Sequence, residues 1–186
     1  MLGELKMKKA LIIVDYQYDF AAPDGRLTAG EPAAKIQPRI IKLAEQYPKE
    51  DIYFTLDDHS ESDWQTDIFP EPKVFPPHCI RGTAGYEIYG EIKGKENSEN
   101  HMRKHAYCPN AEDVERLAEG YDELTVVGLV TDICVLQTVI GLYTYAVNNA
   151  KKLRLIVDSS ACASFNPERE EFALTYMREV LGLEII

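Results

Sequence analysis

A chain of 186 residues, 45% hydrophobic and 27% charged, has the size and balance of one globular domain with a sizeable core. Its net charge of −11, with no basic tract to offset it, argues against nucleic acid and anionic membranes as partners. No apolar stretch approaches the ~20 residues of a membrane-spanning helix, and the first residues lack the hydrophobic stretch of a signal peptide, so the expected compartment is the cytoplasm.

Met7-Lys8-Lys9 resembles an alternative start, so residues 1–6 are expected to be an N-terminal extension and residues 7–186 the domain. The first predicted strand, Lys9–Val14, is almost wholly apolar and ends at Asp15. A carboxylate directly after such a run tends to be partly buried, which raises its pKa unless a cation is near and suits it to proton transfer. Taken alone, Asp15 reads equally as a turn residue. Helical spacing follows over Ala33–Ala44, with Ile36, Ile40, Ile41 and Leu43 on one side.

The second predicted strand, Asp51–Leu56, leads into Asp57-Asp58-His59. Positions i and i+2 of an extended segment point the same way, so Asp57 and His59 can share a metal ion. Glu71, between Pro70 and Pro72, and His78, after Pro76-Pro77, follow in a loop that four prolines stiffen. Two imidazoles with carboxylates suit zinc, iron or manganese and leave positions open for water or substrate. Residues 93–100 read as a solvated surface loop, and Asn100–Lys104 as a short strand. Lys104 is an ordinary surface charge unless it meets an acid and a thiol, in which case its ammonium would stabilise both anions and lower the thiol pKa.

The next elements are a helix over Glu112–Ala118 and a strand over Glu123–Val127, then Gly128-Leu129-Val130-Thr131-Asp132-Ile133-Cys134. Cys134 opens a helical pattern that runs to Val147. A thiol at a helix N-terminus sits among unpaired N–H groups that favour thiolate and can hold an oxyanion; the alternative is a buried structural cysteine. Thr131 or Asp132 is expected to cap that helix. A strand over Leu153–Val157 precedes Asn166-Pro167-Glu168, a helix start with Asn as cap and Pro at the first position; Phe172, Met177 and Val180 supply its apolar pattern. Leu183–Ile186 reads as a last strand. Strands alternating with helices imply an α/β fold, a mainly parallel sheet with helices on both faces. The four cysteines show no CxxC spacing and are read as reduced thiols.

In this order the motifs resemble the cysteine hydrolases of the isochorismatase-like superfamily and, within it, the nicotinamidases. The landmarks are Leu11-Ile12-Ile13-Val14-Asp15 with Asp19-Phe20, Leu56-Asp57-Asp58-His59, Pro76-Pro77-His78 with Gly82-Thr83-Ala84-Gly85, Lys104, and Gly128 to Cys134. The resemblance implies a three-layer αβα sandwich around a six-stranded sheet. It implies a catalytic triad of Asp15, Lys104 and Cys134, and a divalent ion, zinc first and iron or manganese next, on Asp57, His59 and His78. Glu71 matches a fourth ligand found in part of the family. A cis peptide is implied before Val130, where many relatives have Ala, with the Val130 and Cys134 N–H groups forming an oxyanion hole. Phe20 and Phe75 match aromatic positions that sandwich the substrate ring, and Tyr107 would help close the pocket. The implied substrate is nicotinamide, its ring nitrogen on the metal, and the implied role is NAD salvage. Homo-oligomerisation stays open. Competing readings are an amidohydrolase acting on another carboxamide or carbamoyl compound, a vinyl-ether hydrolase, which has no need of the thiol, and a non-catalytic scaffold.

Overall fold

Three strands set the frame because nearly every residue in them is buried. In the structure, a computed structural model describing residues 7–68 and 71–186, these are β1 (Lys9–Val14), β2 (Ile52–Asp57) and β4 (Glu123–Leu129). Strands covered on both faces read as continuous apolar runs, which is why their positions were plain in the sequence. With β3 (His101–Lys104), β5 (Arg154–Ala163) and β6 (Glu184–Ile185) they form a six-stranded sheet of order β3-β2-β1-β4-β5-β6, every pair parallel. The expected fold class holds. The extension expected at residues 1–6 lies outside the described residues, as does Pro70.

Alternate side chains of β1 feed opposite faces of the sheet. Leu11 and Ile13 share a core with Ala33, Ile36, Ile40 and Leu43 of α2 (Glu31–Ala44). Ala10, Ile12 and Val14 share the other with α3 (Ala111–Gly120), α4 (Leu136–Asn148) and α5 (Pro167–Glu179), through Leu117, Val139, Leu142, Ala173 and Met177. Asn166 caps α5 as expected, its Oδ1 accepting from the N–H groups of Glu168 (2.9 Å) and Arg169 (3.0 Å).

Four expectations need correction. A short helix, α1 (Tyr18–Ala21), follows β1 where none was expected. β5 continues past Val157 to Ala163, because a register shift opposite Val126 and Gly128 lets it pass the polar Asp158-Ser159-Ser160 and resume pairing at Cys162. Gly128 has a φ of +116° and lies against Val14, whose carbonyl oxygen an added Cβ would approach to 2.2 Å; only glycine fits that crossing. The 93–100 loop is not wholly solvated. Its Asn100 is buried, and its side-chain amide donates to the carbonyls of Glu50 (2.7 Å) and Ile52 (3.1 Å), tying the loop to the start of β2. On α5 the buried stripe is Ala173, Leu174 and Met177, an i, i+1, i+4 set that leaves Phe172 and Val180 exposed.

Candidate active site

Strand order reverses between β1 and β4, and in open parallel sheets the crevice beyond the strand ends at such a point is where ligands bind. Asp15 follows β1, Asp57 ends β2, Lys104 ends β3, and Cys134 lies in a π-helical turn (Thr131–Val135) between β4 and α4. All four meet there. Lys104 Nζ stands 2.7 Å from Asp15 Oδ2, 3.3 Å from Asp57 Oδ1 and 3.5 Å from Cys134 Sγ. Thr55 Oγ1 donates to Asp15 Oδ1 (2.5 Å), and Gln17 pins Asp57 by exchanging hydrogen bonds with its backbone N–H and carbonyl.

Burial sets the charges. It pushes the Asp15 carboxyl above the ordinary range, and the nearby Lys104 offsets only part of that. Asp57 is also buried, but Lys104 and the two neighbouring imidazoles hold its carboxyl well below the usual carboxylate value. Burial works against the Lys104 ammonium, yet Asp15 and Asp57 outweigh it and hold its pKa well above 10.5. For Cys134 the sequence reading needs correction. Burial, reinforced by Asp15 and Asp57, holds the thiol well above its ordinary pKa, and the opposing pull of Lys104 does not win. Burial thus favours the thiol over the thiolate, and Asp15 is the carboxyl group placed to exchange a proton with it.

Beside this group, one ligand atom each of Asp57, His59, Glu71 and His78 lies within 4.8 Å of all the others. Asp57 Oδ2 is 3.1 Å from both His59 Nε2 and His78 Nε2, and Glu71 lies 3.6 Å and 3.7 Å from the same two nitrogens. His78 Nδ1 is 2.7 Å from the carbonyl oxygen of Pro76, an arrangement that leaves Nε2 as the lone-pair nitrogen facing the cluster. Two buried imidazoles and two carboxylates converging on one point fit a divalent transition-metal ion. His59→Ala is expected to lower bound metal, measured by elemental analysis after dialysis; unchanged content would remove His59 from the ligand set.

A narrow pocket lies between the two groups. Phe20, Phe75 and Tyr107 line it, with Glu71, His78, Val130 and Cys134. Phe20 packs 5.2 Å from the His78 ring. The Leu129–Val130 peptide is cis, as the resemblance implied. Leu27, Ile133 and Phe165 also line the cavity and carried no local signal in the sequence; each reads there as an ordinary apolar residue. Trp64 was missed too, although its ring lies 5.1 Å from His59 and 5.5 Å from His78. Neither Thr131 nor Asp132 caps the turn. Thr131 donates to Glu170 (3.0 Å), while Asp132 accepts from Ser164 and pairs with Arg169 (3.1 Å), so its charge is engaged on the α5 side.

The chain matches the isochorismatase domain model over residues 9–185. A Bacillus subtilis protein, PncA, described as an uncharacterized isochorismatase-family protein, is 37% identical over 190 residues, covering 96% of this chain and 99% of its own. Among solved structures, the pyrazinamidase/nicotinamidase of Streptococcus mutans superposes with a TM-score of 0.81 at 39% identity, covering 96% of this chain and 99% of its own. The pyrazinamidase of Pyrococcus horikoshii in complex with zinc gives 0.75 at 26% identity, covering 96% and 98%. Among the described residues, no helix is long and apolar enough to cross a membrane.

Proposed function

The chain belongs to the isochorismatase family, and from that premise we propose that it is a nicotinamidase, hydrolysing nicotinamide to nicotinate and ammonia through a Cys134 thioester. The observation that carries the reading is the Lys104 ammonium at 2.7 Å from Asp15 and 3.5 Å from Cys134, beside a four-residue candidate metal cluster of which Asp57, Glu71 and His78 line the same pocket as Cys134. Relatives described as nicotinamidase/pyrazinamidase support the substrate class.

The chemistry follows from the arrangement. Asp15 accepts the Cys134 proton as Sγ attacks the carboxamide carbon, and Lys104 keeps Asp15 oriented and balances the buried charge. The backbone N–H groups of Val130 and Cys134 stabilise the oxyanion; losing one such donor typically costs about 3–4 kcal/mol. The proton held by Asp15 passes to the leaving nitrogen, and ammonia departs. A water molecule, deprotonated by Asp15, then cleaves the thioester, releasing nicotinate and returning the proton to Sγ. Asp57, His59, His78 and Glu71 would hold a divalent ion, zinc first and iron or manganese next, which when bound offers an open coordination position to the ring nitrogen. Phe20 and Phe75 would flank the ring, and Tyr107 would close the cavity over it.

Metal-loaded, reduced protein is expected to release ammonia from nicotinamide. The decisive assay strips the protein with chelator and restores zinc, iron and manganese one at a time. No release with any of them would refute the nicotinamidase reading, and release from a different small carboxamide would reassign the substrate while keeping the thiol chemistry.

A further inference from the structure

The outer side of His59 is built as carefully as the inner side. Its Nε2 faces Asp57 and Glu71, and its Nδ1 is buried without a hydrogen-bond partner among the described residues. A single 3₁₀ turn, Glu61–Gln65, packs over that side and delivers two groups to the ring. Trp64 lies edge-on at 5.1 Å, and Asp63 places Oδ2 3.6 Å from Nδ1. The Asp63 carboxylate does not wander. Ser60 N–H donates to Oδ2 and Ser60 Oγ to Oδ1, both at 2.8 Å.

We propose that Asp63 is a positioning residue for His59: its carboxylate accepts the Nδ1–H of the ring, fixing the tautomer and rotation that present Nε2 to the ion. The assignment rests on the metal reading of the Asp57–His59–Glu71–His78 cluster. An imidazole that ligates through one nitrogen needs an acceptor for the proton on the other, and a carboxylate in that place also raises the basicity of the ligating nitrogen. His78 has a backbone carbonyl in this role, at Pro76. Asp63 is the group so placed for His59, and a shift of a few tenths of an ångström closes 3.6 Å to hydrogen-bond length.

His59, Asp63 and His105 are also close enough together to share an ion of their own. The positioning role is favoured over a second cation. A ring bound to metal through both nitrogens must surrender its last N–H proton, whereas donation to Asp63 keeps a neutral imidazole.

The test is zinc affinity of the full chain, measured by competition with a chromophoric chelator, together with zinc stoichiometry. Asp63→Ala is expected to weaken zinc binding by about 10–100-fold, and Asp63→Asn, which keeps an acceptor oxygen, by less. Ser60→Ala removes the Oγ anchor on Oδ1 but keeps the backbone N–H bond to Oδ2, and it is expected to weaken zinc binding less than Asp63→Ala does. Thermal melting of the zinc-free variants monitors the fold. Native affinity in Asp63→Ala would overturn the proposal, as would an equal loss in Ser60→Ala, which would assign the effect to the turn. Two zinc ions per chain, falling to one in both Asp63→Ala and His105→Ala, would make Asp63 a direct ligand and also overturn it. A native chain that binds no zinc would sink the metal reading, and this assignment with it.

Discussion

Under the proposed function, Cys134→Ala is expected to lower turnover of nicotinamide by about 10⁴-fold or more, because an activated nucleophile has no substitute in a covalent mechanism. The same change should leave the protein folded and its metal content intact. Cys134 is buried, but only one heavy atom is lost, and Lys104 keeps both of its carboxylate partners, Asp15 at 2.7 Å and Asp57 at 3.3 Å. No charge is stranded, so the cost in stability should stay near 1 kcal/mol, within the range of small core truncations. Ammonia release, thermal melting and elemental analysis on one preparation separate these effects. Turnover at the native rate would remove Cys134 from the nucleophile role.

Lys104→Met has the opposite profile and is expected to damage stability as much as chemistry. Its ammonium is buried between Asp15 and Asp57. Methionine fills much of the space but leaves Asp15 without its counter-charge and Asp57 with only its two imidazole neighbours, a loss of about 3–5 kcal/mol when one partner of a buried pair is removed. Urea unfolding in the presence of chelator measures it, since the chelator prevents a metal ion from taking over the charge of Asp57. The sign with pH is fixed by linkage. In the native chain the Lys104 pKa is raised above 10.5 by folding, so its contribution is fully present below that value and is lost only as pH rises through the folded-state value. In the variant, Asp15, already raised by burial, rises further and takes up a proton in the folded state. The deficit should therefore narrow as pH falls toward the carboxylate range and widen above it. Equal stability of variant and native chain at neutral pH would contradict the buried-charge account. Under the proposed function turnover should fall together with stability, because Lys104 no longer favours the ionised Asp15 that accepts the thiol proton.

Different parts of the molecule left different traces in the sequence. β1, β2 and β4 were readable because burial on both faces forces an unbroken apolar run, and the cap at Asn166 because its chemistry is local. The end of β5 was not, since Asp158-Ser159-Ser160 looks like a turn until the register shift against β4 is seen. Phe172 and Val180 are apolar yet exposed, a choice among helix faces made by the position of the sheet rather than by α5 itself. In the site, Asp15, Asp57, His59, Glu71, His78 and Cys134 stood out because charged or nucleophilic residues at strand ends, at a helix start or between prolines are conspicuous, whereas Lys104 reads alone as a surface charge and entered only through the family resemblance. Thr55 did not, because a threonine in a strand needs no explanation, yet its hydroxyl holds Asp15. Trp64 and Phe165 reach the ligand cluster and the cavity only through the path of loops whose course no local pattern encodes. The lowering pull of Lys104 on Cys134 was foreseen, but not that burial outweighs it, because the depth of burial is a property of the assembled fold.

Lys104 sits on β3, a four-residue strand at the margin of the sheet that is zipped along one side only, to β2. The margin of a sheet is where transient local opening requires the fewest bonds to break. Amide hydrogens of 101–104 should therefore exchange with solvent ahead of those in β1 and β4. Each such excursion would lift the cation away while the rest of the sheet stays closed, so heat or mild denaturant should silence the protein before its global unfolding is visible.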